Sequence, residues 1–543
     1  MKQLTVILLF AAVPAFSQLI QPNDLEYLGA FRLPEGSGGS DWNYSGCGSA
    51  YYPQGDPSGP NDGYPGSIFA IGNNTQAFVS EISIPVPIIS STRNPANLNT
   101  AETLQPFSDV RGGLFGELEQ PRADLEYLPP QAGQTSGKLH FCWGQHLLSE
   151  RAPTHGWCNT TLSDPQTAGA WFIGDYTNYI VNDYLFEIPE VWSSEHVPGQ
   201  RLATGRFRDG GWGGQGPALL AYNPLADGNP PASNTALKSV TPLLLYGEHI
   251  PGIPEISNLE SMKMKYYKDA DDWSGGAWLT AGGNSTLIFV GTKAMGKSWY
   301  GYSDGTEYPT DGEGPFPPIP AFPHDQRGWW ADSIQAQILF YDPDDLADVA
   351  HGRKKPYESQ PYAFMNLNPY LFDPGYDYTD ETKKMVSLGD CCYDRARNIL
   401  YIFEHRADGD KSLVHVFWIR ESGTGVREPE SGKVGSWFGI WGSGNGGREP
   451  EIGNRASGFD LEQNYPNPFN PQTAIHFRVG EPCRVELKVF DIRGSEVSTL
   501  ADGKYEAGEY VVRFDASSLP SGIFLYRIGA GYFTAAGKMT VMK

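Results

Sequence analysis

Short apolar segments, separated by Gly, Pro and acidic turns, recur along the central part of the chain. Segments of the first type follow a Gly-rich or acidic loop, and a segment of a second type follows each of them. A third type comes next and often ends in Pro or Asp. In places a fourth type follows, which carries an aromatic residue. The first type comprises residues 46–53, 123–129, 216–224, 275–282 and 389–394. The second comprises 67–73, 138–146, 242–249, 285–293 and 398–405, the third 78–85, 183–189, 263–269, 336–343 and 412–419, and the fourth 103–107, 202–208 and 362–367. Long helical patterns are absent, so four strands repeated five times predict an all-β domain, a β-propeller of about five blades.

The fifth repeat has no obvious fourth strand of its own. Residues 25–32 are similar to the fourth-type segment 202–208, which suggests that they supply the missing strand. A strand from the N-terminal end would close the ring and leave no exposed sheet edge. The alternative is a β-sandwich followed by a second β domain.

The last 83 residues show a different pattern, in which apolar and polar residues alternate as they do in half-buried antiparallel strands. The alternating apolar residues are Val485, Leu487 and Val489, then Tyr510, Val512 and Phe514. This pattern predicts a small immunoglobulin-like β-sandwich over residues 461–543. A sugar-binding module of the same fold is the alternative.

Four motifs mark the same segment. They are Gln-Asn-Tyr-Pro-Asn-Pro-Phe-Asn-Pro from Gln463, Val-Glu-Leu-Lys-Val-Phe-Asp-Ile-Arg-Gly from Val485, Phe-Asp-Ala-Ser-Ser-Leu-Pro-Ser-Gly-Ile-Phe from Phe514, and the ending Lys-Met-Thr-Val-Met-Lys from Lys538. Together they resemble the C-terminal sorting domain of the type IX secretion system. The resemblance implies a Bacteroidetes-type bacterium, the type IX secretion machinery as the partner of residues 461–543, and export to the cell surface or the medium, with the tail later cleaved or anchored.

The N-terminal end carries a second targeting pattern. Lys2 precedes an apolar run from Leu4 to Phe16, and small residues end it at Ser17, ahead of Gln18. The run is too short to span a bilayer and predicts a removable signal peptide. We therefore expect a signal peptide at 1–18, a propeller domain at 19–440, a linker at 441–460 and the sorting domain at 461–543, with no transmembrane segment. Passage through the periplasm permits disulfides, and Cys142 with Cys158 is the expected pair.

The formal net charge of −23 belongs almost entirely to the central part, because the tail holds nine Lys and Arg against nine Asp and Glu. A strongly acidic surface argues against nucleic acid as a partner. It also favours neutral substrates or bound cations over anionic polymers.

Three of the five second-type segments end on a histidine: His146, His249 and His405. Three imidazoles on a rigid ring are a ligand set that Zn, Mn or Fe would take. The set resembles the arrangement of oligogalacturonate lyase in outline, and this predicts a divalent metal site. The alternative is that these histidines bond to loops at strand ends.

The loops that lead into the first-type segments carry carboxylates and tryptophans, which are the residue types that glycoside hydrolysis uses. Asp209 and Asp272 are the expected catalytic pair. The expected substrate-binding residues are Trp42, Trp212, Trp273 and Arg122, and the same loops also contain Asp124 and Asp390. The alternative is that the Asp residues stabilise turns and the Trp residues pack between blades. In architecture alone the arrangement resembles five-bladed propeller glycosidases.

Two further features have open interpretations. Trp299-Tyr300 and Trp329-Trp330 lie in a long insertion that could bind carbohydrate or cover the side of the propeller. The acidic turns at 56–63 and 342–345 could hold Ca²⁺ through oxygen ligands or be solvated turns.

The sequence leaves two functional classes. The first is a secreted enzyme acting on extracellular carbohydrate, a hydrolase in preference to a lyase. The second is a non-catalytic surface module for binding or adhesion to a polysaccharide.

Overall fold

The computed structural model divides into two compact units, Met1–Gly425 and Val426–Lys543, and nearly all of its regular structure is strand. Two short helices, α1 (Glu190–His196) and α2 (Pro343–Ala350), interrupt the first unit. No described helix is long and apolar enough to cross a membrane. The prediction of an all-β protein is confirmed. The structure describes residues 18–56, 59, 63–116, 121–131, 133–145, 151–178, 180–207, 215–249, 256–257, 260–309, 313–322, 324–373, 386–421, 460–461, 464, 469, 471–480, 482–490, 496–517, 519, 522–530 and 533–541.

In the described part of the first unit, most strands form five antiparallel four-stranded groups, here called sheets I to V. Sheet V begins with strand β1 (Leu25–Arg32) at its outer edge. Sheet I contains β2 (Ser49–Tyr52), β3 (Ser67–Ile71), β4 (Val79–Ser83) and β5 (Thr103–Ser108). Sheet II contains β6 (Pro121–Leu128), β7 (Lys138–Gln145), β8 (His155–Cys158) and β9 (Ala168–Ile173).

Sheet III contains β10 (Tyr184–Glu187), β11 (Leu202–Arg206), β12 (Ala218–Tyr222) and, after β13 (Ala236–Leu237), β14 (Val240–Leu244). The short β13 pairs in parallel with β9 of sheet II. A separate two-residue hairpin follows, made of β15 (Glu248–His249) and β16 (Ile256–Ser257). Sheet IV contains β17 (Asp272–Ala281), β18 (Asn284–Gly301), β19 (Gly328–Tyr341) and β20 (Ala363–Asn366).

Sheet V contains β21 (Leu388–Asp394), β22 (Ile399–Asp408) and β23 (Lys411–Ile419), and β1 completes it. The antiparallel register of β1 on β23 runs from Leu25 opposite Ile419 to Arg32 opposite Leu413. The first residues of the described chain therefore pair with the last strand of the same unit. This is the pairing expected for residues 25–32.

The core of the first unit lies between the sheets and follows a closed cycle. One cluster of buried side chains fills each junction, from I–II around to V–I. Representative pairs are Phe69 with Phe141, Trp157 with Leu220, Phe186 with Phe289, Ile288 with Leu400, and Ile68 with Tyr401. The first strands of the five sheets contact one another in the same cyclic order. Cyclic packing of this kind is what the predicted propeller requires.

The strand order predicted for the second and third repeats is wrong. Residues 184–187 form the first strand of sheet III and residues 218–222 its third, the reverse of the expectation for segments 183–189 and 216–224. The sequence pattern did not predict β8 and β9, because Gly156 and Gly169 interrupt the alternation that marks a strand. Segment 263–269 is not a strand.

The second unit contains two antiparallel sheets with a shared core. One holds β24 (Asp460–Leu461), β25 (Gln472–Val479) and β28 (Gly508–Asp515), and the other holds β26 (Cys483–Phe490), β27 (Glu496–Tyr505), β29 (Gly522–Ala530) and β30 (Phe533–Val541). The alternating residues Val485, Leu487 and Val489 all lie in that core.

Candidate functional site

The beginnings of the five first strands meet at one end of the first unit. Gly48, just before β2, packs against Asp124 of β6, and Gly275 of β17 packs against Asp390 of β21. A Cβ atom at Gly48 would lie 2.8 Å from the Cα atom of Asp124, so only glycine allows this approach. Close backbone packing therefore brings carboxylates from several sheets together.

Asp124 ties three sheets to one another. Its Oδ1 atom accepts hydrogen bonds from the backbone N–H groups of Ser49 at 3.1 Å and Leu125 at 2.6 Å, and its Oδ2 atom accepts from Leu185 N–H at 2.6 Å. Asp390 adds sheet V, because its Oδ2 atom accepts from the Ser49 hydroxyl at 2.6 Å. Both carboxyl groups are fully buried. We call these residues the Asp124 layer.

The two buried carboxyl groups of this layer interact, and the charge of one disfavours the charge of the other, so we expect the pair to hold one proton below about pH 7. The Oδ1 atom of Asp390 is buried and has no hydrogen-bond donor among the described groups. Burial raises the pKa of Asp390 to about 7, and hydrogen bonds from Ser49 and the backbone oppose the shift. Burial and the charge of Asp390 raise the pKa of Asp124.

This pair predicts a stability that falls as the pH rises. Between the unfolded pKa near 3.8 and the folded pKa of about 7, the native state holds a proton that the unfolded chain has released. The free energy of unfolding should therefore drop by about 2–4 kcal/mol relative to an Asp390→Asn variant as the pH rises from 4 to 7. The amide donates the missing hydrogen bond at every pH.

Urea unfolding of both proteins at pH 4, 5, 6, 7 and 8 measures this difference, since carboxylates outside the Asp124–Asp390 pair titrate alike in the two. Asp164→Asn, at an exposed turn, is the control and should follow the native chain. A constant difference between native chain and Asp390→Asn over this range would contradict the shared proton.

A second layer lies nearer the ends of the strands. Arg122 lies two residues before Asp124, and Asp183 lies two residues before Leu185. Two residues along a strand keep the side chain on the same face and shift its position by about 6.8 Å. The Arg122 Nη1 atom lies 3.3 Å from Asp183 Oδ1, and its Nη2 atom lies 3.8 Å from Asp272 Oδ2. We call these three residues the Arg122 layer. It joins sheets II, III and IV.

The Arg122 layer is partly open to solvent. The Arg122 side chain is 28% exposed and that of Asp272 11%, whereas Asp183 is only 2% exposed. The guanidinium group packs over the Phe207 ring at 4.7 Å, and Asp183 Oδ2 accepts from Phe207 N–H at 3.0 Å. Burial lowers the pKa of Arg122, but the charges of Asp183 and Asp272 outweigh that effect and the pKa is raised. The guanidinium is thus a cation between two carboxylates.

Cys47 lies beside both layers but is not a nucleophile of the activated kind. Burial and the charge of Asp390 raise the pKa of its thiol to about 12, and Arg122 only partly opposes this. A thiol with so high a pKa is protonated at neutral pH. Within the two layers, the described residues therefore offer the chemistry of carboxylates and of the Arg122 guanidinium.

Two of the predicted site residues, Arg122 and Asp272, are brought together by the structure. Trp42 and Trp273 are not part of this arrangement. Both indoles are fully buried, Trp42 against Phe107 with ring centroids 4.6 Å apart, and Trp273 in the core between sheets III and IV. Trp273 follows Asp272 directly in a strand, so its side chain points to the opposite face. The expectation that these two rings contact substrate is therefore wrong, and the packing alternative holds.

Several predicted residues lie outside the described part of the chain. Asp209, Trp212 and His146 are among them, and His249 is described only as part of strand β15. His405 is partly buried, with its Nδ1 atom 3.0 Å from the carbonyl oxygen of Ser45. The prediction placed the three histidines at the ends of equivalent second strands. It is wrong for His249, because its strand β15 is not the second strand of a sheet. Among the described residues no group of three or more His, Cys, Asp or Glu side chains is arranged to hold a metal ion.

The predicted disulfide is not formed, since Cys142 and Cys158 are both free thiols. The strand register explains this, because Cys142 lies opposite His155 while Cys158 lies opposite Leu139. An offset of three residues places the two sulfur atoms on opposite faces of sheet II. Cys158 accordingly lies in the I–II core and Cys142 in the II–III core.

One of the two acidic turns has a structural role. Asp342 precedes α2 and its Oδ1 atom accepts from the Asp344 N–H at 2.8 Å, which makes it the N-cap of that helix. The turn at 56–63 is only partly described.

Asp183 is a site residue that the sequence pattern did not predict. The residue lies immediately before β10, as other site carboxylates lie at the start of a first strand. Because residues 183–189 were assigned to a third strand, that position carried no signal. A correct strand order would have found it.

Comparisons with known proteins bear on the two units differently. No curated protein matches the chain significantly in sequence. Among solved structures, the chain is similar to a glycoside hydrolase family 43 arabinoxylan arabinofuranohydrolase from Bacillus subtilis, in complex with cellotetraose, at 8% identity over 92% of this chain and 96% of that one, with a TM-score of 0.28. At that TM-score the likeness carries no argument about the first unit. The family model for the secretion system C-terminal sorting domain matches residues 463–542. The C-terminal segment of this protein is therefore a type IX secretion C-terminal sorting domain, which indicates export to the cell surface or secretion.

Proposed function

We propose that the protein is an exported five-bladed β-propeller that hydrolyses a neutral extracellular carbohydrate at the Arg122 layer. The cyclic packing of sheets I to V and the pairing of β1 with β23 support the propeller. In such a fold, the beginnings of the innermost strands surround the central channel. The two carboxylate layers would line that channel.

The observation that carries the enzymatic proposal is the position of the Asp272 carboxylate, whose Oδ2 atom lies 3.8 Å from Arg122 Nη2 and whose side chain is 11% exposed. A carboxylate at this position can act as a general base or nucleophile. Hydrolysis also needs a carboxylic acid to protonate the leaving oxygen, and Asp209 remains the candidate from the sequence. In the reaction the glycosidic C–O bond breaks, water supplies the new C–O bond, the acid gives its proton to the leaving group, and the carboxylate takes a proton from water.

The charge of the Arg122 layer supports a neutral substrate. Two carboxylates surround the single guanidinium, so the layer has a net charge of about −1. The chain itself has a formal charge of −23. A lyase acting on an anionic uronate polymer would need an unneutralised cation at this position, and Arg122 does not supply one.

A binding function is the second candidate, and one observation favours it. The connection between β18 and β19 exposes Phe316, Ile319 and Phe322 to 52%, 71% and 73%. Two tryptophans of the same insertion donate hydrogen bonds within it, Trp299 to the Tyr302 carbonyl oxygen at 3.0 Å and Trp330 to the Gly301 carbonyl oxygen at 3.1 Å. The exposed apolar side chains could hold a glycan or another surface.

Incubation of the purified chain with neutral and acidic polysaccharides tests the proposal. New reducing ends and unsaturated uronate absorbance are read together. Reducing ends without uronate absorbance are expected, from a neutral polymer. Uronate absorbance would show a lyase. Complete inactivity, with retention on an immobilised glycan, would replace the enzyme by the binding module.

Export through the tail makes a separate prediction. A chain that lacks residues 460–543 should accumulate inside the cell envelope, because the sorting domain is then missing. Fractionation of producing cells into envelope, surface and medium, with immunoblotting, measures it. The full chain carrying Asp272→Asn is the control and should be exported normally. Unchanged export of the truncated chain would show that another segment carries the signal.

A further inference from the structure

Helices α1 and α2 meet at the end of the unit away from the Arg122 layer. Helix α1 follows the end of β10, the first strand of sheet III, and α2 follows the end of β19 in sheet IV. The indole Nε1 of Trp192 donates to the carbonyl oxygen of Pro343 at 3.2 Å, which links the two helices. His196, the last residue of α1, and His351, which caps the C-terminal end of α2, come together beside this link.

We propose that His196 and His351 bind one divalent transition-metal ion, Cu²⁺ or Ni²⁺, and so clip sheet III to sheet IV. The Nδ1 atom of His196 lies 3.0 Å from the Nε2 atom of His351. With metal–nitrogen bonds of about 2.0–2.1 Å, two nitrogen atoms at that separation subtend an angle of about 90–97° at the ion. Tetrahedral ligands with the same bonds would lie about 3.3 Å apart. The separation of 3.0 Å therefore fits the near-right angles that Cu²⁺ and Ni²⁺ prefer over the tetrahedral angles of a structural zinc site.

The His196 imidazole is packed against an aromatic side chain of its own helix. The Trp192 ring packs on the imidazole with centroids 4.8 Å apart, and itself packs on Trp278 at 4.6 Å. The ring position of His196 is thus fixed before any ion binds.

Two protein ligands leave the remaining positions of the ion to water, and His351 is exposed enough for the ion to enter.

The alternative is a neutral hydrogen bond between the two imidazoles, and it makes different predictions. Tag-free chain, treated with chelator and dialysed, is titrated with CuCl₂ and with NiCl₂ by calorimetry and tryptophan fluorescence. We expect one equivalent bound, partial quenching because Trp192 lies against His196, and a rise in Tm of about 2 °C or more at saturation. Copper should bind more tightly than nickel.

Variants separate the site from adventitious binding. His351→Asn, at an exposed position, should weaken binding at least 30-fold and abolish the quenching and the Tm rise, and His196→Gln should do the same. His324→Asn is the control, because His324 bonds to Ser303 in the hairpin of sheet IV and not to α1 or α2. Equal affinity of native chain and His351→Asn, or no binding by the native chain, would leave only the hydrogen-bonded pair and overturn the proposal.

Discussion

A chain that lacks residues 19–34 is expected to lose the cooperative unfolding transition of the first unit. These residues contribute Ile20, Leu25, Phe31 and Leu33, all buried, to the cores on both sides of sheet V. Burial of four such side chains is worth roughly 6–12 kcal/mol, which is comparable to the whole stability of a domain, about 5–15 kcal/mol. The deletion also leaves β23 as an open edge that invites aggregation. Circular dichroism and calorimetry of the truncated chain measure the loss.

A substitution at an exposed residue of β1 is the control for this deletion, because it changes the strand without removing it from the ring. Glu26 lies in β1 but points to solvent, where it pairs with Arg420. Glu26→Gln should leave Tm within about 1 °C, because exposed ion pairs contribute little. A truncated chain that melts like the native one would show that β1 does not hold the ring together.

Asp272→Asn is expected to lower the turnover of a neutral glycan by about 10²–10⁴-fold. The amide keeps the size of the carboxylate but can neither take a proton from water nor attack as a nucleophile. Asp183 still pairs with Arg122 in this variant, so the guanidinium keeps one partner and the fold should hold. Initial rates of reducing-end release, on equal amounts of folded protein, measure the effect.

The control for this variant lies in the same sheet. Asp332 is an exposed residue of β19, where its carboxylate accepts from Lys297 N–H. Asp332→Asn should retain the native rate within twofold. A native rate for Asp272→Asn would remove Asp272 from the chemistry.

The sequence predicted the closing strand correctly on partly incorrect grounds. Residues 25–32 were matched to 202–208 as fourth strands, but 202–206 is the second strand of sheet III. The prediction succeeded because the fifth repeat lacked a strand of its own, and residues 25–32 supply it by pairing with β23. Repeats that lose alternation to glycine, as in β8 and β9, cannot be ordered from local pattern alone.

The sequence predicted those site residues that lie where a loop enters a first strand. Arg122 and Asp272 were found because each lies where a loop enters a first strand. Trp273 was assigned to substrate because local sequence does not show which of two adjacent strand residues faces the channel. The shared proton of Asp124 and Asp390 depends on the approach of sheets II and V through Ser49, and no single segment encodes it.

The measurement that tests the central claim most directly is the affinity of Asp272→Asn for the glycan that the native chain degrades. If Asp272 is a catalytic carboxylate at a preformed site, the variant should bind that glycan within about threefold of the native affinity while turnover is lost. A parallel loss of binding and turnover would instead make Asp272 a structural partner of Arg122, and the Arg122 layer would not be the catalytic site.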